Sequence, residues 1–439
     1  MVSPFRRLMS RSISRLLMVI LLLLVLYQLL GFRASGTETR HPYDVCEGLE
    51  GLKDLFVILR TGTTEAPKKL PSHLATTLRC VPHYVIYSDF EEDVAGQHIY
   101  DALKDVSDEI KESHPDFEYY NKLQQQGKGR EAFSNEEIAQ WSSARNTMSG
   151  RDSPGWRLDK WKFLPLADKA FRKQPDAKWY IFIESDTYIM WKSLLDWLSH
   201  YDASKPYYMG QQMQIGDVVF AYGGAGFTVS QPAMKRMVEH RNENLQFYDD
   251  FTANHWAGDC VLGKALYDTG IPLHWAYPSL SGDEPADTDF DSGFGGPERR
   301  PWCYYAASFH HLQPSEYPRF YDFEQKWNRE NSTLLRHRDI FRYYVMPHFR
   351  PQLEDWDNLS DQEQMTESSF KDCRAACQKD PDCLQFSVSE YTCKTSQALK
   401  LGHKTSAAEQ SSSGWMMDRI GPFMEGMDLL CNDQDWIKP

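Results

Sequence analysis

The chain has 439 residues, 41% of them hydrophobic and 13% aromatic, which suffices for one large globular domain with a small one beside it and excludes a disordered chain. Its formal net charge of −14 excludes nucleic acid as the main partner, because a polyanion calls for a basic footprint. A single nucleotide stays admissible where a metal ion supplies positive charge.

Arg6, Arg7, Arg11 and Arg15 precede an apolar run from Leu16 to Phe32 in which Gln28 is the only strongly polar residue. Counted from Ile13, the run approaches the roughly 20 residues that span a bilayer, and the basic flank predicts a cytosolic N-terminus. It is longer than the apolar core of a cleaved signal peptide. The reading is a cytosolic tail at 1–15, a signal anchor at 16–32, a short stem at 33–46 and a lumenal body, hence a single-pass type II protein of the Golgi or ER membrane. The nine cysteines agree with that side of the membrane. Their odd number leaves at least one thiol unpaired or paired between chains, and a homodimer stays open. Sequons at Asn331 and Asn358 predict glycosylation there.

In the body, Leu55–Leu59 reads as a buried strand followed by the turn Arg60–Thr63. A helix over Pro71–Leu78 and a strand over Tyr84–Tyr87, ending in Ser88-Asp89, complete the opening of a parallel α/β unit. Ligands collect at such strand ends, so Asp89 is either a ribose or base contact or a cap. Asn121 to Pro154 is Gln-, Gly- and Ser-rich and reads as a mobile surface insertion. Trp156–Phe171 reads as one amphipathic helix with Trp161, Leu164, Ala167 and Phe171 along a face.

The stretch Lys178–Ile189 reads as a buried strand ending in Glu184-Ser185-Asp186. Two oxygen ligands on one short turn suit a hard divalent cation, the alternative being a solvated acidic turn. A helix over Leu194–His200 and strands over Tyr207–Gly210 and Val218–Phe220 lead to Gly223-Gly224-Ala225-Gly226-Phe227. That cluster matches neither a P-loop nor a dinucleotide fingerprint; it admits a close ligand approach or a β-bulge. A helix starts near Gln231, and another at Trp256–Gly263 with Asp259 at an N-cap position. Ser281–Arg300 reads as a long flexible loop of the lid type. Within Ala307–His311, adjacent histidines on a strand face opposite ways, so at most one joins a given site. From Gln352 a smaller unit is expected, with a helix over Phe370–Gln378, a strand over Cys383–Val388, and a disulfide framework among Cys373, Cys377, Cys383 and Cys393 whose connectivity spacing leaves open.

Glu184-Ser185-Asp186-Thr187-Tyr188, the glycine cluster, Gly258-Asp259-Cys260-Val261-Leu262-Gly263 and Phe309-His310 occur in the order found in inverting β1,3-glycosyltransferases of family 31. Over Leu55–His311 the chain resembles Fringe and the core-1 β1,3-galactosyltransferases. Phe370–Ile420, with Ser413-Gly414-Trp415-Met416, looks like a PAN/apple module, a combination similar to fungal membrane-anchored members. The resemblance implies a Rossmann-like GT-A domain at 47–350, a disulfide-stapled α+β PAN/apple-like domain at 355–425 and a tail at 426–439. It implies a UDP-sugar donor, Mn2+, and a glycan or glycoprotein acceptor that receives a hexose, galactose first, in β1,3 linkage. By the same resemblance Asp186 and His310 ligate the metal, Glu184 helps them or holds the donor ribose, and Asp259 is the general base. Thr61, Gly62, Asp89, Gly224 and Ala225 fall at donor contacts. Trp256, beside the base, either stacks on the acceptor sugar or belongs to the core. The chain departs from the family pattern twice: Ser185 stands in what is usually a run of three acids, and Gly258 replaces the acid before the base. The alternative is a catalytically inactive transferase-like chaperone, or a membrane protein that binds carbohydrate or protein through its C-terminal module.

Overall fold

Leu55–Arg60 (β1) and Trp179–Glu184 (β5) are continuous apolar runs, the pattern of strands covered on both faces. In the computed structural model, which describes residues 45–141, 153–296, 298–365, 369–432 and 435–437, they lie side by side and parallel at the centre of an eight-stranded sheet. Its other members are Tyr84–Ser88 (β2), Glu92–Val94 (β3), Gln97–Asp101 (β4), Tyr208–Gly210 (β7), Phe227–Ser230 (β10) and Leu273–Trp275 (β11), in the order β11-β7-β10-β5-β1-β2-β4-β3, while Gln212–Ile215 (β8) and Val218–Ala221 (β9) pair as a separate hairpin. β5, β1, β2 and β4 are parallel, whereas β10 runs antiparallel to β5 and β7. From β1 the chain builds outward to β2 on one side, and β5 is later added on the other. This is a switch point, and a crevice opens there at the carboxyl ends of the two strands, where Arg60 pairs in register with Glu184.

The period-2 alternation of β1 divides the core. Phe56 and Ile58 pack with Tyr180, Phe182 and the helices Phe163–Lys173, Gln231–Glu243 and Gly258–Asp268. Leu55, Val57 and Leu59 face the opposite layer with Leu70, Leu194 and Trp197. Residues 48–439 form one compact unit. The predicted tail and anchor at 1–32 and all but the end of the stem lie outside the described residues, among which no helix is long and apolar enough to cross a membrane.

Several expectations are corrected. The first helix spans Ala66–Ala75, because Pro67 fits its first turn, and Lys69 thereby joins the crevice wall. The supposed surface insertion is ordered where it is described. Helices Phe117–Gln124 and Asn135–Trp141 bring Tyr119 onto Phe133 at 4.9 Å, with Trp141 edge-on to both. A few aromatics in a polar background suffice to pin it; residues 142–152 lie outside the described set. The helix expected over Trp156–Phe171 is two helices, Pro154–Asp159 and Phe163–Lys173, and the break turns Lys162 inward, where it is 2% exposed and pairs with Asp89 at 3.2 Å.

The 281–300 segment is irregular but anchored. Phe290 is buried against Trp302, His337 and Phe341, and the N–H groups of Leu401 and Gly402 both donate to Ala286 O. The C-terminal region holds a five-stranded antiparallel sheet: Leu353–Glu354, Ser412–Trp415, Gln385–Ser389, Thr392–Ser396 and Gln362–Met365, in that order. Its disulfides are Cys373–Cys393 and Cys377–Cys383. A third, Cys303–Cys431, ties the region before β12 (Ser308–Phe309) to the chain just beyond the final helix, Met417–Leu429. Cys46 and Cys80 are also disulfide-bonded, and Cys260 is a buried free thiol.

The sequon at Asn358 is not a glycan site in this fold. Its side chain is fully buried, Nδ2 donates to Phe386 O and Gly414 O, and Oδ1 accepts from Ser360. A glycosidic bond would take one of those hydrogens and needs room that is absent. Asn331, at the end of helix Tyr317–Glu330, is partly exposed.

Candidate active site

Beyond β5 the chain makes a tight turn: Thr187 N donates to Glu184 O, and Thr187 Oγ1 accepts from Glu184 N while donating to Gly224 O at 2.8 Å. The turn feeds Tyr188–Ile189 (β6), which pairs antiparallel with β12 in the register Phe309↔Tyr188. Stepping back from Tyr188 and forward from Phe309 along that pair brings Asp186 and the two histidines together.

His310 Nε2 lies 3.0 Å from Asp186 Oδ1 and 3.7 Å from Glu184 Oε2, and Tyr222 OH sits 3.3 Å from its Nδ1. Both histidines join the site, contrary to strict strand alternation. The strand ends at Phe309, and His311, with φ +62°, has its ring 3.8 Å, centroid to centroid, from that of His310. Asp186, His310 and His311 can each offer one ligand atom within 4.8 Å of the others, forming a candidate metal site.

The two carboxylates of the cluster are matched by cationic side chains. Burial works against ionisation of Asp186, yet the Lys69 ammonium, 3.2 Å away, and His310 hold its carboxyl well below the usual range. Burial likewise opposes ionised Glu184, and Arg60, with His310, brings it down to about 2. Burial disfavours protonated His310, but Asp186 and Glu184 raise it to about 9. For His311 burial and the neighbouring His310 charge act together, lowering it to about 4.

These groups line a cavity of about 220 Å3. Thr61, Gly62 and Asp89 also line it, as expected of the β1 and β2 ends. Asp89 is no helix cap: its Oδ1 accepts from Thr63 N at 2.8 Å. Lys162, which pairs with Asp89, also donates to Thr61 O at 2.9 Å. Lys68, Lys69 and Arg60 supply positive charge to the wall. Ser185, at the first departure from the family pattern, is buried in the lining, with its backbone hydrogen-bonded to His73.

Gly224 and Ala225 stand behind the cluster rather than in the cavity. Their carbonyls accept from Thr187 and Ser308, and a Cβ on Gly224 would come within 2.1 Å of the His310 ring. The glycine cluster thus makes room for the imidazole. Gly224→Ala is expected to displace His310 and weaken binding of a divalent cation at this candidate site about tenfold or more by calorimetry. Gly421→Ala, whose added methyl meets nothing within 4 Å, leaves it unchanged; equal affinities in both variants would contradict this placement.

Asp259 is in the first turn of helix Gly258–Asp268, but Ala257 is the N-cap. Its Oδ2 instead accepts from Gly223 N at 3.0 Å, and Oδ1 from Cys260 N at 2.9 Å. Burial outweighs these two donors and, with the Glu184 charge, raises its carboxyl to about 6. Gly258 has a steric reason, since a Cβ there would lie 2.3 Å from the Phe163 ring and 2.6 Å from Lys160 Cα. Trp256 is not a core residue: it is 43% exposed and stacks on Trp156 at 6.0 Å.

Sequence reasoning missed Lys69, Arg60, Lys162 and His311. The first three are ordinary surface residue types in apolar-periodic segments, and nothing local marks them as facing a ligand. For His311 the signal was its adjacency to His310, discounted because a regular strand was assumed.

A mixed α/β sheet with a carboxylate–imidazole cluster at its switch point is compatible with a GT-A domain. Residues 132–276 match the Fringe family, described as Fringe-like, a span that contains both Asp186 and Asp259. Over 106 residues the chain is 27% identical to a human protein named beta-1,3-glucosyltransferase, covering 23% of this chain and 20% of the relative. The chain thus spans about a fifth of the length of the curated relative it matches.

Proposed function

We propose that the protein is an inverting β1,3-glycosyltransferase that moves a hexose from a UDP-sugar to a hydroxyl of a glycan or glycoprotein. The observation that carries the reading is that Asp186, His310 and His311 converge beside Glu184, and that Gly223, next to Glu184, donates its N–H to the carboxyl of Asp259, which feels the Glu184 charge. The Fringe-like match at 132–276, which contains Glu184, Asp186, Gly223 and Asp259 and ends before the two histidines, supports it.

The donor set fits a divalent transition metal: one carboxylate with two imidazoles suits Mn2+ better than Mg2+, which prefers oxygen. Asp186, His310 and His311 would hold it, and when bound it would offset the charge growing on the departing diphosphate. Lys68 and Lys69 extend that positive field along the cavity wall, and Arg60 fixes Glu184 through an ion pair. Thr61, Gly62 and Asp89, which line the cavity, would receive the nucleoside. Asp259 accepts the proton of the attacking hydroxyl as the acceptor oxygen bonds to the anomeric carbon and the bond to the UDP oxygen breaks. A single displacement with one base inverts configuration.

A base near 6 sets a pH profile. Asp259 must be ionised, so kcat/KM is expected to be level above about pH 7 and to fall about tenfold per unit below 6. A profile flat down to pH 4.5 would remove Asp259 as the base.

The anchor and stem read from the sequence, together with the disulfides, suit a type II enzyme with its body in the oxidising Golgi or ER lumen. Galactose is the donor sugar expected from the resemblance; the printed name of the human relative favours glucose as the rival. The test is a UDP-sugar screen on the purified lumenal part with Mn2+ and a panel of glycan acceptors. UDP release that requires both metal and acceptor supports transfer; its absence with every donor contradicts it.

A further inference from the structure

Helix Leu245–Ala253 presents Phe247 and Phe251 four residues apart, and His255 continues the spacing just beyond its end. Four residues advance about 6 Å along a helix, so side chains at this interval form a line on one face. The ring centroids step 6.3 Å from Phe247 to Phe251 and 5.4 Å on to His255. They continue 6.2 Å to Trp256 and 6.0 Å to Trp156. Successive planes differ by only 11° to 21°. Trp156 is itself a wall of the candidate active-site cavity, so the ladder runs from an outlying helix into the site.

Phe247 is 50% exposed, and helix burial does not require a ring there. Lys264, paired with Asp268, lies 5.3 Å from the Phe247 centroid and 6.0 Å from that of Phe251. It steadies the far end of the ladder. On the same helix and its end, Gln246 Nε2 donates to Asp250 Oδ1 and Asn254 Nδ2 to Asp250 O.

We propose that this ladder is an acceptor subsite for an oligosaccharide. The apolar C–H faces of equatorially substituted pyranose rings would rest on successive aromatic faces, with the chain end delivered past Trp256 and Trp156 toward Asp259. The choice of occupant rests on continuity with the cavity: a protein or membrane partner would have no need for rings leading into a polar, cation-holding site. The assignment rests on the transferase reading for its direction, but binding can be measured without turnover.

The test uses quenching of intrinsic tryptophan fluorescence in the lumenal protein, with the β-linked tetrasaccharides of galactose, glucose and N-acetylglucosamine as probes and the three monosaccharides as controls. At least one tetrasaccharide is expected to bind, and Phe247→Ala to weaken it about three- to tenfold, while Phe247→Tyr restores it. UDP binding in the presence of Mn2+ should be equal in all three proteins, which separates a lost subsite from a misfolded or misassigned active site. Absence of binding by every tetrasaccharide would overturn the proposal, as would affinity indifferent to Phe247→Ala. Binding of phosphatidylcholine vesicles that Phe247→Ala abolishes, without sugar binding, would assign the ladder to a membrane surface instead. Saccharide binding with no sugar transfer from any donor would retain the subsite and refute the transferase.

Discussion

On the proposed transferase reading, Asp186→Asn is expected to lower metal-dependent sugar transfer by about 10²- to 10³-fold or more, the scale of losing a principal electrostatic stabiliser of a charged transition state. Asp186 is the residue on which the cationic groups converge: Lys69 on one oxygen and His310 on the other. The amide keeps the shape and so tests charge rather than packing; alanine would also strip Lys69 of a partner in a partly buried place, where an uncompensated charge destabilises the fold. Calorimetric titration of Mn2+ should show the site lost, and thermal unfolding should show the protein intact. Wild-type turnover in Asp186→Asn would remove the metal assignment.

Asp259→Asn carries the second large effect, a fall in kcat of about 10²- to 10⁴-fold from loss of general base catalysis. The asparagine oxygen can still accept one of the two N–H groups from Gly223 and Cys260, so the local backbone should hold. Metal affinity and UDP binding should stay near wild type, because Asp259 touches neither Asp186 nor the histidines. The steady-state split is therefore diagnostic. A loss confined to KM for donor, or transfer undiminished at neutral pH, would assign Asp259 to structure.

How far the sequence carried depends on whether a residue's role is local. The central strands were legible because apolar runs of strand length leave few choices, and Glu184 and Asp186 had to lie at the end of one of them. The parallel pairing of β1 with β2 followed from strand, helix, strand. What eluded reading were effects of register and packing between distant segments. His311 enters with a positive φ past the end of a two-residue pairing, and Lys162 through a break in what looked like one helix. The link from Cys303 to Cys431 crosses 128 positions. The anchoring of 281–300 depends on Phe290 finding Trp302 and Phe341, in a segment whose Asp, Gly and Pro content resembles that of a free loop. Gly224 shows the reverse case: its clustering was visible, but the partner it accommodates is a histidine 86 residues later rather than a ligand.

The central claim, inverting β1,3 transfer on an Asp–His–His metal site, is tested most directly by proton and carbon NMR of the product formed from a UDP-α-hexose. With Mn2+ present, the account predicts one new glycosidic bond of β configuration to O3 of the acceptor sugar, and no such product when the metal is chelated. An α-linked product, or an equal yield under chelation, would contradict it.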